Sequence, residues 1–304
     1  MLLQFYLEQL DYKNMPLFLR KYFECPSLVR LMRVGYFCGM DFASKSVYDF
    51  SEYISRFAHS LTTSLLTYKV TKDKTMTVAA LFHDVATPCF SHVIDYMNED
   101  YEKQESTEEL TEDIIKSDKY LLKCLKEDNI DVDDIINFKK FSIVDNDRPK
   151  CCADRLDGVI LTGIGWTKNI NKDDIKKIIN DVRVFKNEDN EDEIGFTSRD
   201  IVSKIIDVSK SIDLYCHTNE DNYMMQLLAT ITKLSIDRGY ITYDDLYSLN
   251  EIELFNKLKN SKDKELLDKI SLFENINIDS IPKIELPNVK VRVLTPLVNG
   301  KRYN

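Results

Sequence analysis

The stretch HDVATPCFSH, residues 83–92, contains side chains that can bind a metal ion or a phosphate group. The chain has only four histidines, and His83 and His92 are two of them, with Asp84 directly after the first. A neutral imidazole beside a carboxylate suits a divalent cation such as Mn, Fe, Ni, Co or Mg. Two ligands do not complete a metal site, so we expect further ligands from other parts of the chain.

Two residues outside this stretch are the best candidates for the missing ligands. His59 lies in RFAHSL on a predicted helix, and Asp154 interrupts the apolar helical run CCADRLDGVIL. Taken alone, His59 could pack on an apolar helix face and Asp154 could be an acidic residue near a helix N-terminus. A second ion would need further carboxylates in a chain with so few histidines, so the sequence favours one divalent metal ion.

The elements that position these residues are predicted to be helices. Eight Gly and seven Pro in 304 residues are few, which argues against a fold with many tight turns. Apolar residues repeat at helical spacing over 48–70 and 74–84. Pro88 ends the second helix, and Thr87 is a good N-cap, so a new helix is predicted to begin at Pro88. Its N-terminus would favour an anion, with His92 in its second turn.

Helical periodicity covers most of the remaining chain, with two exceptions. Alternating runs around an acidic turn predict a hairpin over 182–196, and β-branched residues with Pro predict a strand or extended arm over 283–298. The sequence therefore predicts an all-α, mainly helical fold with a small β-hairpin and a C-terminal extended or β segment. We expect one domain over 1–261, including a helical N-terminal lead-in, and a C-terminal extension over 262–304 packed on it.

Composition and charge narrow the classes of partner. A net charge of −10 disfavours broad binding to nucleic acid or to anionic membranes, although a local cationic pocket is compatible with it. No apolar run approaches the roughly 18 residues that a membrane span needs. The seven Cys include no CxxC pair, and no signal peptide is recognised, which favours reduced core thiols. We expect a cytoplasmic protein without a membrane partner.

The ordered set of histidines and aspartates resembles the HD-domain metal-dependent phosphohydrolase superfamily. The surroundings are similar to its (deoxy)nucleoside triphosphate triphosphohydrolase-like branch, in RLMRVG at 30–35, RFAHSL at 56–61, FSH at 90–92 and DRLDG at 154–158. The resemblance implies a mainly helical HD-domain fold. It also implies hydrolysis of a phosphate ester or anhydride of a nucleotide by a metal-activated water, with dNTP triphosphohydrolysis as one form. A homo-oligomer is expected from the resemblance alone.

The resemblance also implies roles for individual residues. The implied metal ligands are His59, His83, Asp84 and Asp154. Asp84 would in addition orient the attacking water, and His92 would face the scissile phosphate as an acid or electrostatic stabiliser. Glu108 would assist catalysis or be a solvated acidic residue. Arg56 and Arg155 would contact phosphate oxygens, for which a guanidinium group is suited, or would be structural ion-pair partners.

Several positions depart from that branch of the superfamily. Thr87 and Thr107 stand where the related enzymes carry helper histidines, and Gly158 and Thr162 replace a Tyr and an Asp that contact the sugar. The metal ligands are thus kept while the sugar-contacting residues differ, so the base and sugar of the substrate stay open. The lost histidines leave an alternative function, a catalytically weak metal- or nucleotide-binding regulatory protein on the same scaffold.

Overall fold

Helices make up most of the chain, as the scarcity of glycine and proline predicts. The computed structural model describes residues 1–102, 104 and 108–303. The α-helices are α1 (Leu2–Gln9), α2 (Pro26–Arg30), α3 (Arg56–Thr71), α4 (Lys74–Phe82), α5 (Val93–Met97), α6 (Thr111–Ser117), α7 (Lys119–Asp128), α8 (Val132–Ile136), α9 (Ala153–Gly165), α10 (Lys172–Asp181), α11 (Arg199–Cys216), α12 (Asn219–Asp237), α13 (Asp245–Ser248), α14 (Glu251–Lys259) and α15 (Lys264–Asn275). Short 3-10 helices cover Tyr12–Asn14, Leu17–Glu24, Leu31–Arg33, Met40–Phe42, Phe138–Lys140 and Ile278–Ser280.

The start of α3 corrects the helix predicted over 48–70. The Ser55 side chain accepts a hydrogen bond from the Ala58 N–H at 3.1 Å, so the helix begins at Arg56. Ser55 also pairs with Gly35 in an isolated antiparallel bridge, which holds the residues before α3 in an extended conformation. The apolar residues between 48 and 55 therefore belong to an irregular segment, and α4 ends at Phe82 close to the predicted position.

The helix predicted to begin at Pro88 does not form. Phe90 and Ser91 have φ angles of 66° and 46°, in the left-handed region that a right-handed helix excludes. The Thr87 hydroxyl is buried and has no hydrogen-bond partner among the described residues, so it does not act as an N-cap. Helix α5 begins at Val93 with His92 at its N-cap position. The prediction of an anion site at a helix N-terminus next to Pro88 was therefore wrong.

The small β-sheet confirms the predicted hairpin and places the C-terminal arm. Strands β1 (Arg183–Lys186) and β2 (Asp192–Phe196) are antiparallel, with Val184 opposite Ile194. The chain is irregular between 281 and 296, and β3 (Leu297–Val298) then pairs parallel to β2. Strand β4 (Lys301–Arg302) closes the sheet next to β3. The fold class predicted from the sequence is confirmed.

Two buried apolar clusters form the core of the described residues. One packs α3 against α4 and α9 and includes Leu66, Leu81 and Ile160. The other packs α5 and α15 against α12. Phe50 and Trp166 contact both clusters, so the space between the clusters has aromatic walls. Among the helices that the structure describes, none has the length and apolar character needed to cross a membrane.

Candidate metal centre and adjoining cavity

Three packed elements bring the candidate metal ligands together. His59 lies on α3, His83 follows the last residue of α4, and Asp154 lies in the first turn of α9. His59 Nε2 is 3.0 Å from Asp154 Oδ1 and 3.2 Å from His83 Nε2. One ligand atom from each of the three residues lies within 4.8 Å of the other two. The structure therefore assembles two imidazoles and a carboxylate around one point.

Asp84 lies next to this group and is shared with an arginine. Its Oδ2 is 3.8 Å from His59 Nε2, and its Oδ1 is 3.9 Å from His83 Nε2. Arg56 Nη1 donates to Asp84 Oδ2 at 2.8 Å. Burial opposes the ionisation of this carboxyl, but Arg56 and then His83 outweigh burial and lower the pKa of Asp84 to about 2. Asp84 is therefore a carboxylate at neutral pH, as a metal ligand must be.

Hydrogen bonds at the Nδ1 atoms orient both imidazoles. His83 Nδ1 lies 2.7 Å from the Ala80 carbonyl oxygen, which can only accept, so Nδ1 carries the proton. His59 Nδ1 contacts Asp157 Oδ2 at 2.8 Å in the same way. Each histidine therefore directs the lone pair of its Nε2 towards the shared point, which is the arrangement that holds metal-binding histidines in place.

The donor set fits a divalent cation. Burial lowers the pKa of His59, but hydrogen bonds to Asp154 and Asp157 reverse this and raise the pKa to about 10. Burial likewise lowers the pKa of His83, but Asp84 and Asp154 outweigh burial and raise it. The two Nε2 atoms lie 3.2 Å apart, which leaves no room for a proton on each of them. The neighbouring carboxylates nevertheless favour a positive charge at this point. Two imidazole nitrogens and two carboxylates suit a borderline or hard divalent ion there.

Asp157 and Tyr6 support this centre and were not identified from the sequence. The buried Asp157 carboxylate accepts the Tyr6 hydroxyl at 2.6 Å and the Thr62 hydroxyl at 2.8 Å, besides contacting His59. Asp157 lies three residues after Asp154, a helical spacing that places both on one face of α9 and could have indicated its role. No sequence pattern marks Tyr6, which reaches the centre from α1.

A cavity of about 750 Å³ adjoins the metal centre. His59, Asp84 and Asp154 are among the residues that line it. Phe37, Phe50 and Trp166 also line it, and the Phe37 and Phe50 rings are stacked with centroids 4.3 Å apart. A volume of this size holds a small organic ligand. The cavity therefore joins a polar metal-binding end to aromatic surface.

His92 lines the same cavity, as the sequence predicts. Its Nδ1 lies 2.8 Å from Asp95 Oδ2, which leaves Nε2 for a ligand. Burial lowers the pKa of His92, and the hydrogen bond to Asp95 opposes burial without cancelling it. In the ligand-free cavity the imidazole is therefore held in its neutral form more strongly than in water. A bound anion would favour its protonation.

The two arginines predicted to bind phosphate are both engaged with acidic residues. Arg56 Nη1 is held by Asp84, and its Nε donates to the Ser91 hydroxyl at 3.2 Å. Arg155 Nη2 contacts Asp145 Oδ1 at 2.8 Å, and its Nη1 donates to the Lys150 carbonyl oxygen at 2.7 Å. Both residues line the cavity, yet their guanidinium groups make the structural ion pairs that were the alternative interpretation.

Glu108 also lines the cavity. Among the described residues, it makes no direct contact with the candidate metal ligands. Its carboxylate pairs with Lys139 at 2.5 Å and is 41% exposed. Thr107, which stands where the related enzymes carry a helper histidine, lies outside the described residues. The role of Glu108 stays a prediction.

Comparison with known proteins agrees with this geometry. Residues 56–160 match the HD domain family. The chain is also 23% identical over 263 residues to the metal-dependent phosphohydrolase cns2 of Cordyceps militaris, a match that covers 80% of this chain and 70% of that protein. The family match begins at the first residue of α3 and ends inside α9, so it includes all four candidate ligands. The segment that is similar to the HD domain family is therefore the segment that carries the candidate metal centre.

Proposed function

We propose, from the HD domain at residues 56–160, that this chain is a metal-dependent phosphohydrolase that cleaves a phosphate ester or anhydride of a nucleotide. The family match and the phosphohydrolase relative support a hydrolase of the HD superfamily. The observation that carries the proposal is the convergence of His59, His83 and Asp154, with Asp84 beside them, at the wall of the cavity.

The residues around the centre divide the work of phosphoryl transfer. A divalent ion bound there would supply a Lewis acid that activates water and polarises a phosphoryl oxygen. Asp84, ionised and at the cavity wall, can accept a hydrogen bond from the attacking water and take its proton. Arg56 holds Asp84 in place and adds positive charge beside the phosphoryl group.

His92 is proposed to act on the phosphate from another side of the cavity. Asp95 fixes its Nδ1, so its Nε2 is the nitrogen that can donate to a phosphoryl or leaving-group oxygen. The imidazole is neutral when the cavity lacks an anion, and a phosphate oxyanion close to Nε2 favours its protonation. His92 would therefore take up a proton as substrate binds, which is suitable for a general acid.

The aromatic surface supports a nucleotide as substrate. Phe37, Phe50 and Trp166 offer flat rings to a base within the same cavity that adjoins the metal centre. A Cβ atom at Gly158 would lie 2.9 Å from the Tyr36 hydroxyl, so Tyr36 occupies the space above this position. The Tyr36 ring also lies over the Arg56 guanidinium at 5.0 Å. This replacement of the sugar-contacting residues is why we propose a nucleotide without naming its base or sugar.

A nucleotide panel supplemented with Mn²⁺ and other divalent metals, with identification of the products, tests this function. We expect release of phosphate, pyrophosphate or triphosphate from at least one nucleotide. His83→Ala should abolish that release. His217→Ala is a matched control, because His217 lies at the end of α11, bonds the Asp213 carbonyl oxygen and does not line the cavity. Equal turnover by His83→Ala and the unmodified chain would refute the proposal.

One observation favours the alternative of a regulatory binding protein. Thr87, which replaces a helper histidine, is buried with its hydroxyl unpaired in the part of the chain that the structure describes. It therefore supplies no proton donor to the cavity, whose lining does not include it. Nucleotide binding without turnover, across every metal in the same panel, would identify this second function.

A further inference from the structure

The C-terminal strap, defined as residues 282–296, runs along the cavity and is fixed to α11. The Arg292 N–H donates to Asp213 Oδ1 at 2.6 Å, and the Ser209 hydroxyl donates to the Arg292 carbonyl oxygen at 2.6 Å. Both partners lie on α11, four residues apart and hence on one face. Leu294 is buried two residues later. The backbone of Arg292 is therefore held from both sides, and its side chain lines the cavity.

The Arg292 guanidinium is bonded only to uncharged oxygens. Nη1 donates to the Lys290 carbonyl oxygen at 2.9 Å, and Nη2 donates to Gln104 Oε1 at 2.5 Å. No carboxylate lies within ion-pair distance of this group in the described ranges. Asp221, an acidic residue that lines the same cavity, accepts the Tyr48 hydroxyl at 2.6 Å. Arg292 therefore lies at the cavity wall without a direct ion pair among the described residues, unlike Arg56 and Arg155.

Arg148 brings a second guanidinium group without an ion pair, among the described residues, to the same cavity. It precedes α9 and lines the cavity, and it makes no hydrogen bond or ion pair with any residue that the structure describes. Arg148, Arg155 and Arg292 all line this cavity, and burial, Arg155 and Arg292 each lower the pKa of Arg148. The chain as a whole has a net charge of −10, so a cavity wall with several arginines differs from the rest of its surface.

We propose that Arg148 and Arg292 form an anion site that binds a phosphate group of the substrate. The site takes the role that the resemblance assigns to Arg155, whose guanidinium is already bonded to Asp145. This inference rests on the proposed function for the identity of the substrate, but the anion site exists in the chain whether or not the metal centre hydrolyses anything. Guanidinium groups without acidic partners keep donors for phosphate oxygens, and a phosphate would relieve their mutual repulsion.

The anion site shares its cavity with the groups that are proposed to act on the phosphate. His92, the proposed general acid, and Asp154, a candidate metal ligand, line the cavity that Arg148 and Arg292 also line. Positive charge on Arg56 and Arg292 lowers the pKa of His92, after the larger effect of burial. A phosphate bound by Arg148 and Arg292 would therefore lie in one cavity with both the general acid and the metal centre.

Binding of inorganic pyrophosphate to the full-length chain without metal, measured by calorimetry in EDTA at low salt, tests the site. We expect the unmodified chain to bind pyrophosphate, and Arg292→Gln and Arg148→Gln each to weaken binding by about 10- to 100-fold, as for loss of a charge-assisted bidentate contact. Arg20→Gln is the matched control, because this substitution removes the same charge at an exposed position that does not line the cavity.

Further arms separate the phosphate from the rest of the ligand and from folding. AMP should follow pyrophosphate in all variants, whereas adenosine should bind Arg292→Gln as tightly as the unmodified chain. Urea denaturation identifies a variant that merely unfolds. Arg148→Gln removes no hydrogen bond or ion pair with the described residues, so it keeps the test valid if Arg292→Gln unfolds. No pyrophosphate binding by the unmodified chain, or equal binding by Arg148→Gln and Arg20→Gln, would overturn the inference.

Failure of this inference can be distinguished from failure of the proposed function. If pyrophosphate binds as expected but no metal supports turnover, the anion site stands and the phosphohydrolase does not. If turnover occurs while both arginine variants keep the KM and pyrophosphate affinity of the unmodified chain, the enzyme stands and the anion site does not.

Discussion

The two sides of the cavity are built by different means. The metal side comes from α3, α4 and α9, and each imidazole there is fixed by a hydrogen bond to Ala80 or Asp157. The other side comes from irregular chain around Arg148 and from the C-terminal strap, and its guanidinium groups line the cavity without ion pairs to the described residues. Helices thus hold the ligands at fixed positions, whereas irregular chain supplies charge for an anion.

The difference has a physical reason. A metal ion requires ligand atoms within a few tenths of an ångström of their ideal positions, and side chains on packed helices meet that requirement best. A phosphate group accepts hydrogen bonds over a wide range of directions, so an arginine on a loop can bind it. Changes on the metal side should therefore have the larger effects, and those on the other side smaller effects that depend on the ligand.

Asp154→Asn should cause the largest loss. It removes the carboxylate that contacts His59 at 3.0 Å and His83 at 3.4 Å, so both metal content and turnover should fall. We expect turnover to fall by about a thousandfold or more, corresponding to several kcal/mol of lost transition-state stabilisation. Metal content is measured by plasma mass spectrometry and turnover on the best nucleotide of the panel.

Asp207→Asn, an exposed position on α11, is the control for Asp154→Asn. It removes one carboxylate without touching the cavity and should keep both metal and turnover. If Asp154→Asn retained full metal content and full turnover, the three-helix side of the cavity would not be the metal side, and the comparison between the two sides would fail.

Asp157→Asn should have an intermediate effect, confined to the metal side. The amide cannot accept from His59, Thr62 and Tyr6 as the carboxylate does, so His59 loses its fixed orientation. We expect metal affinity to fall by about 10- to 100-fold, as for other residues that orient a metal-binding histidine. Chelator competition measures the affinity.

Tyr6→Phe is the matched smaller change. It removes a single hydrogen bond to the Asp157 carboxylate and should weaken metal binding by about fivefold, the effect of roughly 1 kcal/mol. Pyrophosphate binding without metal should be unchanged in both variants. A loss of pyrophosphate binding equal to the loss of metal binding would mean that the two sides do not act separately.

Trp166→Leu should change only the binding of the base. Trp166 is the one tryptophan of the chain and lines the cavity beside Phe37, with ring centroids 6.5 Å apart. Loss of an aromatic contact should weaken nucleoside binding by about 3- to 10-fold while pyrophosphate binding stays the same. In the unmodified chain, the fluorescence of Trp166 should change when adenosine is added. An unchanged nucleoside affinity in Trp166→Leu would place the base elsewhere.

The sequence predicts the metal side far better than the other side. The candidate metal ligands lie on regular helices or close to their ends. Residue type and order were therefore enough to predict them as one set, His59, His83, Asp84 and Asp154. Arg292 lies in an irregular strap without periodicity, and only the tertiary fold places it in the cavity that α9 residues line. Arg148, which lines the same cavity, looks in sequence like any charged loop residue. Charge that is paired in the fold cannot be told from unpaired charge by sequence alone.

The turn between the two sides shows why local rules failed there. Thr87 and Pro88 have the right types to begin a helix, but Glu251 from α14 accepts the Phe90 N–H at 2.9 Å. The same carboxyl group accepts the Gly35 N–H at 2.8 Å, next to the bridge before α3. A residue over 160 positions away thus fixes the left-handed backbone at Phe90. Tertiary contacts override the helix-start signal.

Glu251 gives the last and smallest prediction, a pH dependence of stability. Burial raises the pKa of Glu251 to about 8, with Asp41 adding to the rise, although the Gly35 and Phe90 N–H groups and Arg56 act to lower it. In an unfolded chain the pKa of a glutamate is about 4.3. Between about pH 4.3 and pH 8, therefore, Glu251 keeps a proton in the folded state that it has lost in the unfolded state. Stability from this group is therefore present below about pH 4.3 and is lost as the pH rises towards 8.

Glu251→Gln should flatten that dependence, because the amide does not titrate. The urea midpoint of the unmodified chain should fall between pH 5 and pH 8 by more than that of Glu251→Gln, and Glu285→Gln, at an exposed position, should behave as the unmodified chain. The slopes are compared rather than the midpoints themselves, since the amide cannot accept both backbone N–H groups and lowers stability at every pH. Parallel slopes for Glu251→Gln and Glu285→Gln would show that the two backbone donors keep Glu251 ionised, so that it holds the turn between the two sides as a carboxylate.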